Sequence, residues 1–388
     1  MTLLRVAVIA DYLEEGWPSM DLVADMLFDR LQREHAATIA PTLVRPPMLR
    51  RAGRLPFASR AWTHGFDRVA NRLWDYPRLV SGLAARFDVF HIVDHSYAQL
   101  VHRLPAARTI VTCHDLDTFR SVLDPELENR TPMFRAMTRH ILSGLRKAGH
   151  IACDSNATRD AVVSRAGIAP ERTTVVPNGP HPSCSPNAEP AADIDAARFL
   201  GPRGATVDLL HVGSTIPRKR IDVLLRVLDS LRSAHRQLRL VRVGGPFTSA
   251  QQADVRRLGL GDAIVVLPAL DRSTLASVYR RSALLLMPSE REGFGLPVLE
   301  ALACGTPVVA SDVPALREVG GYAATYCPVE DIEAWHRAVT RLLDERSQNP
   351  AQWALRRESG IRRASAFSWS RYASDIVALY SRVASFVS

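Results

Sequence analysis

Cysteines, long apolar runs and basic leader segments are scarce in this sequence. Its five cysteines in 388 residues are odd in number and form no Cys-x-x-Cys pair, which favours reduced thiols over a disulfide framework. No apolar run reaches the roughly 18 residues that a membrane-spanning helix needs. Residues 1–12 lack a basic start before their apolar segment, so we interpret them as a cytosolic strand rather than a secretion signal.

Acidic residues are absent between Glu34 and Asp67, and this gap is more informative than the formal net charge of +9. Arginines alternate there with bulky apolar side chains, a pattern that suits an anionic lipid surface better than a nucleic-acid groove. No recognisable nucleic-acid module is present. We keep two interpretations of residues 45–62: a peripheral contact with the inner face of the membrane, and a solvated basic loop of a cytoplasmic protein. The arginines are Arg45, Arg50, Arg51, Arg54 and Arg60.

Histidines are concentrated in one part of the chain, but they do not predict a metal site. His91, His95, His102 and His114 straddle two predicted strands without the spacing of metal ligands on a helix. In open α/β sheets, ligands bind beyond the carboxyl ends of strands, so His95, His114 and Asp115 are expected to face a ligand. The alternative for His114 is a structural histidine that is hydrogen-bonded to the backbone.

Short apolar runs alternate with helical periodicity along the chain, whose length fits two domains of ordinary size. Such runs are typical of buried parallel strands, so we predict a doubly wound α/β fold in both halves. A segment rich in Pro, Ser and Ala at 180–192 is predicted to link them. The predicted strands include 4–10, 89–93, 108–113, 174–177, 207–212, 238–243, 263–267, 283–287 and 307–310.

The most informative stretch, residues 289–307, lies between two predicted strands. A helix is predicted from about Pro297 to Cys304, because proline suits the first helical position and the glycine after Cys304 suits a left-handed end. Gly293 and Gly295 precede this helix. Backbone without Cβ atoms at a helix start can approach an anion closely and offer it N–H groups, which predicts a phosphate site.

Charged residues before and within this helix, and on a second loop, accompany the glycines. Glu292 and Glu300 are placed to flank one ligand, although each alone is also explained as a solvated charge or as a partner of the helix dipole. Arg218 and Lys219 follow the predicted strand at 207–212, on the turn before a helix. Because both loops follow strand ends, we expect the basic pair to point at the same crevice as the glycines.

Together these features resemble the signature of the retaining nucleotide-sugar glycosyltransferases of family 4, which have the GT-B fold. The resemblance implies two Rossmann-like doubly wound domains that face a central cleft. Residues 1–185 would form the acceptor domain, residues 186–370 the nucleotide-sugar domain, and residues 371–388 a helix that packs back on the first domain. The positions that match the family pattern are Glu292, Gly293–Pro297, Glu300, Ala301, Ala303, Gly305 and Pro307–Val309.

The resemblance also implies roles for individual residues. Arg218 and Lys219 would hold the donor diphosphate and stabilise its departure. Glu292 would orient the sugar hydroxyls, His114 would contact the sugar or the acceptor, and Glu300 would accept hydrogen bonds from the ribose. The predicted catalytic residues are therefore Glu292, His114, Arg218 and Lys219. The predicted donor-binding residues are Gly16, Gly213, Arg218, Lys219, Gly293, Phe294, Gly295, Leu296 and Glu300.

Two places depart from the family pattern. The first loop has the single glycine Gly16, where the family often carries two adjacent glycines. The basic turn has Ser214 and Arg220, where the commoner pattern has arginine and then glycine or asparagine. Lys219 is therefore the better matched member of the basic pair.

The implied function is retaining transfer of a hexose from a nucleotide-diphosphate sugar to a saccharide or lipid-linked acceptor, in cell-surface polysaccharide or glycolipid synthesis. Mannose from GDP-mannose is favoured, because Gly213–Lys219 and His114–Leu116 look most like bacterial polysaccharide mannosyltransferases. No cofactor and no metal are expected, since basic side chains and amides can meet the leaving charge. The alternatives are a nucleotide-sugar epimerase of the same fold and a non-catalytic nucleotide-sugar-binding protein.

Overall fold

The computed structural model describes residues 3–51, 60–202, 204, 206–232 and 237–385. The chain divides into two compact units, one made of Met1–Asn178 with Trp369–Ser388 and the other of Gly179–Ser368. The predicted boundaries, after residues 185 and 370, lie slightly later than these divisions. Cys184 illustrates the difference, because it packs in the hydrophobic core of the second unit.

Both units are built on a six-stranded sheet in which every pair of neighbouring strands is parallel. The strands are β1 Leu4–Ile9, β2 Ile39–Val44, β3 Val89–Ile92, β4 Thr109–Cys113, β5 His150–Cys153, β6 Thr173–Val175, β7 Val207–Val212, β8 Leu238–Val243, β9 Ile264–Leu267, β10 Leu284–Met287, β11 Val308–Ser311 and β12 Ala324–Cys327. The first sheet has the order β2-β1-β3-β4-β5-β6, and the second has the order β12-β11-β10-β7-β8-β9. This is the predicted doubly wound α/β architecture.

Helices connect consecutive strands in both units, as parallel pairing requires. They are α1 Pro18–Glu34, α2 Arg60–Ala70, α3 Tyr76–Ser81, α4 Arg120–Leu123, α5 Pro132–Lys147, α6 Asn156–Ser164, α7 Pro190–Leu200, α8 Ile221–Arg232, α9 Ser249–Arg257, α10 Arg272–Arg281, α11 Leu296–Ala303, α12 Pro314–Gly320, α13 Ile332–Gln348, α14 Pro350–Ala364 and α15 Trp369–Ser385.

Two elements of the first unit differ from the sequence prediction. Strand β2 was not predicted, because it contains Pro41 and most of its residues are only half-buried. It forms the edge of the sheet, where a proline is tolerated. The helical spacing of Val23, Met26, Leu27 and Leu31 predicts a helix from Met20 with Ser19 as its cap, but helix α1 begins at Pro18. Proline is favoured in the first turn, where its missing N–H would have no partner.

Helix α15 packs within the first unit through buried polar contacts. The Tyr380 hydroxyl lies 2.8 Å from His91 Nδ1, and the Thr112 hydroxyl lies 2.7 Å from His91 Nε2. Burial, followed by the charge of His114, lowers the pKa of His91 to about 3, so this histidine is neutral. The contact therefore needs no charge compensation.

Helix α11 of the second unit begins at Leu296, one residue before the predicted start, and Gly295 is its N-cap. Gly305 has a φ of 72° and supplies the left-handed end that was predicted. Helix α7 starts at Pro190, so the last residues of the predicted linker are helical. Proline again occupies the first turn.

The structure also bears on the expectations about cysteine and membranes. All five cysteines are buried and free. Within the described ranges, none of the helices has the length and apolar character that crossing a bilayer requires.

Candidate active site

The strand order of the second sheet brings two loops of the predicted site together. Strand β7 lies between β10 and β8, so the direction of winding reverses beside it. Ligands of open α/β sheets bind beyond the carboxyl ends of strands at such a point. Residues 213–220 follow β7 and residues 288–295 follow β10. The two loops touch, since the Glu290 N–H donates to the Arg218 carbonyl at 2.8 Å.

Arg218, Lys219 and Glu292 form one ionic cluster across these loops. Lys219 Nζ lies 2.6 Å from Glu292 Oε1, and Arg218 Nη1 lies 3.2 Å from Glu292 Oε2. The three side chains are only 16%, 11% and 7% exposed, in the order Arg218, Lys219, Glu292. Burial alone would raise the pKa of Glu292, but the charges of Lys219 and Arg218 outweigh it and lower the pKa. The cluster is therefore ionised and net positive, which suits an anionic ligand.

The start of α11 lies beside this cluster. Gly295 has a φ of 101°, and a Cβ atom there would lie 2.6 Å from Leu316 Cδ2, so glycine is required. The first amides of a helix have no intrahelical acceptor and carry the positive end of its dipole. Phe294 packs its ring against Phe367, with centroids 5.9 Å apart, so only the backbone of Phe294 can face a ligand. The Phe294 ring is thus excluded as a group that contacts a ligand.

Glu300 is buried on α11 and is only 4% exposed. Its Oε2 accepts a hydrogen bond from the Tyr279 hydroxyl at 2.9 Å. Burial raises the pKa of Glu300, while the charge of Arg272 and the Tyr279 hydrogen bond oppose the rise. Sequence reasoning missed Tyr279, because a single tyrosine on the apolar face of a helix is indistinguishable from a core residue.

Arg220 occupies the position where the commoner family pattern has glycine or asparagine. It has a φ of 47° and a ψ of 52°, and it is the one non-glycine residue with positive φ in the described part of the chain. Glycine and asparagine adopt this left-handed conformation more readily. Arg220 is held there by hydrogen bonds of 3.0 and 2.9 Å to Asp222 and of 3.0 Å to Glu330. The Arg220 guanidinium is therefore hydrogen-bonded to two carboxylates.

The first unit holds His114 by both ring nitrogens. Nδ1 lies 3.2 Å from Asp154 Oδ2, and Nε2 lies 2.8 Å from the Val93 carbonyl oxygen. Burial alone would lower the pKa of His114, but the hydrogen bond and charge of Asp154 outweigh it and raise the pKa to about 9. His114 is thus an imidazolium near neutral pH with both N–H groups in use. This geometry favours the structural alternative over direct contact with a sugar.

Several polar atoms of the first unit are buried without a hydrogen-bond partner among the described residues, and two such groups follow neighbouring strands. They are both carboxylate oxygens of Asp11, after β1, and Nε2 of His95, after β3, which lies 3.7 Å from Asp115 Oδ1. His95 Nδ1 accepts the His114 N–H at 3.3 Å, so Nε2 carries the proton. Burial, followed by the charge of Asp94, raises the pKa of Asp11 to about 7. Sequence reasoning did not select Asp11, although its position at the end of the first strand was a usable signal.

Gly16 is explained by backbone conformation. It has a φ of 68° and ends the short turn Leu13–Glu15. A Cβ atom at Gly16 would meet nothing within 4 Å, so the position shows no close approach that only glycine permits. Gly16 and His114 belong to the first unit, whereas the other predicted site residues belong to the second.

The basic segment 45–62 is partly described. Residues 52–59, with Arg54, lie outside the described residues. Arg45 pairs with Asp25 at 2.7 Å, and Arg51 donates to Asp75 at 2.6 Å. These two arginines therefore offer less charge to a lipid surface than the sequence suggested.

Metal ligation has no cluster to support it within the described ranges. No group of three or more His, Cys, Asp or Glu side chains is arranged there to hold an ion. The expectation of a metal-free site also assumed that the chain lacks an Asp-x-Asp motif, and this was wrong, because such triplets occur at 115–117 and 193–195. In the second triplet, Asp193 pairs with Arg280 at 3.2 Å.

Several solved structures share this fold. They include sucrose-phosphate synthase from Thermosynechococcus elongatus, with a TM-score of 0.74 and 20% identity over 98% of this chain and 99% of that one. Anabaena Alr3699/HepE in complex with UDP-glucose has a TM-score of 0.71 and 17% identity over 98% and 100%. WaaG, a glycosyltransferase involved in lipopolysaccharide biosynthesis, has a TM-score of 0.70 and 15% identity over 97% and 99%. The architecture is thus that of the GT-B fold, with two Rossmann-like domains.

Sequence comparison gives the family. The model of Glycosyltransferase Family 4 matches residues 22–183, and that of Glycosyl transferases group 1 matches residues 196–358. A D-inositol 3-phosphate glycosyltransferase of Kineococcus radiotolerans is 33% identical over 61% of this chain and 57% of its own length. One from Mycobacterium marinum is 34% identical over 55% and 46%. The chain thus spans about half the length of these curated relatives. It belongs to the group 1, or family 4, glycosyltransferases.

Proposed function

We propose that this protein transfers a hexose from a nucleotide-diphosphate sugar to an acceptor hydroxyl, with retention of the anomeric configuration. The observation that best supports this is the buried cluster of Arg218, Lys219 and Glu292 beside the opening amides of α11. Two cations and a helix start provide charge and N–H donors for a diphosphate, and the carboxylate provides an acceptor for sugar hydroxyls.

The main requirement of this reaction is stabilisation of the departing diphosphate. The bond from the anomeric carbon to the diphosphate oxygen breaks, the bond from that carbon to the acceptor oxygen forms, and the acceptor proton passes to the diphosphate. Negative charge grows on the leaving oxygen, so preorganised donors there lower the barrier. Arg218, Lys219 and the α11 amides can supply them without a metal ion. Glu292 would exchange its ion pairs for sugar hydroxyls, and Glu300 would accept hydrogen bonds from the ribose.

GDP-mannose remains our favoured donor, on the resemblance of Gly213–Lys219 to mannosyltransferases. The Anabaena HepE structure was solved with UDP and glucose, which makes UDP-glucose the second donor to test. Glu300 would accept hydrogen bonds from the ribose, which both donors contain. The experiment therefore compares these two donors.

The first unit supports an uncharged acceptor, although the relatives are named for the phosphorylated compound D-inositol 3-phosphate. Asp11 and Asp94 interact electrostatically at the ends of β1 and β3, and Arg45, which acts on Asp11, is already paired with Asp25. Asp94 and the ionised form of Asp11 repel a phosphate, whereas a hydroxyl can donate to Asp11 and another can accept from His95. We infer a neutral saccharide acceptor, free or lipid-linked, as in cell-surface polysaccharide or glycolipid synthesis.

A direct test is incubation with GDP-mannose or UDP-glucose and either a neutral alkyl glycoside or D-inositol 3-phosphate, measuring diphosphate release and the glycoside formed. Lys219→Ala should lower turnover at least tenfold, since a charge-assisted hydrogen bond contributes about 1.5–3 kcal/mol. The exposed Lys147, changed to alanine, is the control. No diphosphate release with any pair, or equal activity of both variants, would contradict the proposal. A changed sugar configuration without transfer would indicate the epimerase.

A lipid-linked acceptor would also require contact with a membrane surface. We propose that the basic segment 45–62 provides it, at about 1 kcal/mol for each unpaired arginine near anionic lipid. Flotation at low salt should show more protein on anionic than on neutral liposomes. Equally poor recruitment to both would leave the solvated basic loop as the explanation.

A further inference from the structure

A second group of polar side chains is buried on strands β7 and β8, below the loops of the candidate site. Arg242 of β8 is fully buried, and within the described ranges no carboxylate lies at ion-pair distance from it. Its Nη2 donates to the Gly213 carbonyl at 3.0 Å, its Nη1 donates to the Gly245 carbonyl, and its guanidinium lies 5.0 Å from the centre of the Phe247 ring. Burial lowers the pKa of Arg242 to about 10, so it stays charged near neutral pH.

His211 of β7 is the register partner of Arg242 in the sheet. It is also fully buried, and neither of its ring nitrogens has a hydrogen-bond partner among the described residues. Burial, followed by the charges of Arg242 and Lys219, lowers the pKa of His211 to about 3. His211 is therefore neutral and interacts electrostatically with two cations, Arg242 and Lys219.

This group adjoins the loop that carries the basic pair. A Cβ atom built on Gly213 would lie 3.4 Å from His211 Cε1 and 3.6 Å from Lys219 Cδ, so the lysine stem passes close to the imidazole. Gly244 packs so closely on Gly213 that a Cβ atom at Gly244 would overlap the Gly213 carbonyl. The carbonyl that Arg242 binds thus belongs to the first residue of the loop 213–220.

A buried cation without a carboxylate partner is costly for the ligand-free fold. Carbonyl hydrogen bonds and an aromatic face offset only part of that cost. A group of this kind is stabilised further when an anion binds nearby, because electrostatic interactions are stronger in a poorly hydrated interior. The loop whose Gly213 carbonyl Arg242 binds carries Arg218 and Lys219, which have the features of an anion site.

We propose that Arg242 is a third, buried cation of the second unit's anion site, selecting ligands with the charge of a diphosphate. It holds the Gly213 carbonyl and adds positive potential beneath the loop, and the adjoining His211 is neutral. The inference rests on the proposed nucleotide-sugar function and extends it to a residue that does not touch the ligand. Arg242 is thus a positioning residue.

The test compares wild type with Arg242→Met, Arg242→Lys and the control Arg226→Met, which removes an exposed charge from α8. Thermal unfolding and calorimetry are run with UDP, GDP, inorganic pyrophosphate and the uncharged nucleosides. We expect ligand-free Arg242→Met to unfold at the wild-type temperature or above it. Its affinity for the diphosphates and pyrophosphate should fall about tenfold, or 1.4 kcal/mol. Its affinity for uridine and guanosine should not change.

Arg242→Lys separates charge from shape, because it keeps the cation but loses the paired carbonyl contacts. It should retain most of the diphosphate affinity that Arg242→Met loses. Wild-type affinity for diphosphates in Arg242→Met would overturn the inference, as would an equal loss for diphosphates and nucleosides. A wild-type protein that binds none of the diphosphates contradicts the proposed function itself.

Discussion

Glu292 gives the sharpest prediction, because its carboxylate pairs with both cations that a diphosphate would need. Its two carboxylate oxygens lie 2.6 Å from Lys219 Nζ and 3.2 Å from Arg218 Nη1, and its side chain is 7% exposed. Glu292→Gln keeps the shape of the side chain and removes its charge. We expect the variant to bind nucleoside diphosphate more tightly and yet to turn over more slowly.

The magnitudes follow from burial and charge. Breaking a buried pair from one side costs about 3–5 kcal/mol, so the ligand-free variant should be about 3 kcal/mol less stable, because these three side chains retain a little exposure. A unit charge about 4 Å away contributes about 4 kcal/mol at an effective dielectric near 20, and removing this competitor should raise diphosphate affinity at least tenfold. Loss of the group that orients the sugar should lower turnover about 100-fold, or 2.7 kcal/mol.

Three measurements separate these effects: calorimetry with UDP or GDP, thermal unfolding with and without that ligand, and steady-state turnover with saturating acceptor. The control is Glu290→Gln in the same loop, whose carboxylate is 45% exposed and pairs with Arg291. The control should behave as wild type in all three. If Glu292→Gln weakens diphosphate binding and leaves turnover intact, the carboxylate belongs to the phosphate site rather than to the sugar site, and the reasoning fails.

Three further predictions concern binding, pH and backbone. Glu300→Gln should weaken nucleoside diphosphate binding about tenfold with turnover within about twofold, since ribose does not change during reaction; the reverse pattern in kinetics would remove Glu300 from the nucleoside site. Asp11 has its pKa raised to about 7 in the fold, so it costs stability progressively as pH rises from about 4 through 7. Asp11→Asn should therefore melt higher than wild type at pH 8, with an advantage that shrinks toward pH 4; a pH-independent difference would contradict this. Gly295→Ala should destabilise the second unit by about 2–3 kcal/mol through positive φ and overlap with Leu316, and trimming Leu316 to alanine should not restore it fully.

Much of the site in the second unit could be predicted because its parts are local in the sequence. The glycines before α11, the proline in its first turn and the left-handed Gly305 act over one or two helical turns, which is the range of capping rules. Apolar runs likewise predicted most buried strands. The edge strand β2 was not predicted, because it contains Pro41 and is half-buried, and so lacks the continuous apolar run that is typical of a central strand.

The pairing of distant residues was decided by the tertiary structure alone. Lys219 and Glu292 are 73 positions apart, and they meet because β7 and β10 are neighbours in the sheet. His211 and Arg242 face each other only through the parallel register of β7 and β8. Periodicity in a sequence indicates which face of an element is buried, but strand order and register depend on how the whole sheet packs. The carboxylate that pairs with both basic side chains, and the cation that has no carboxylate partner, therefore became visible only in the fold.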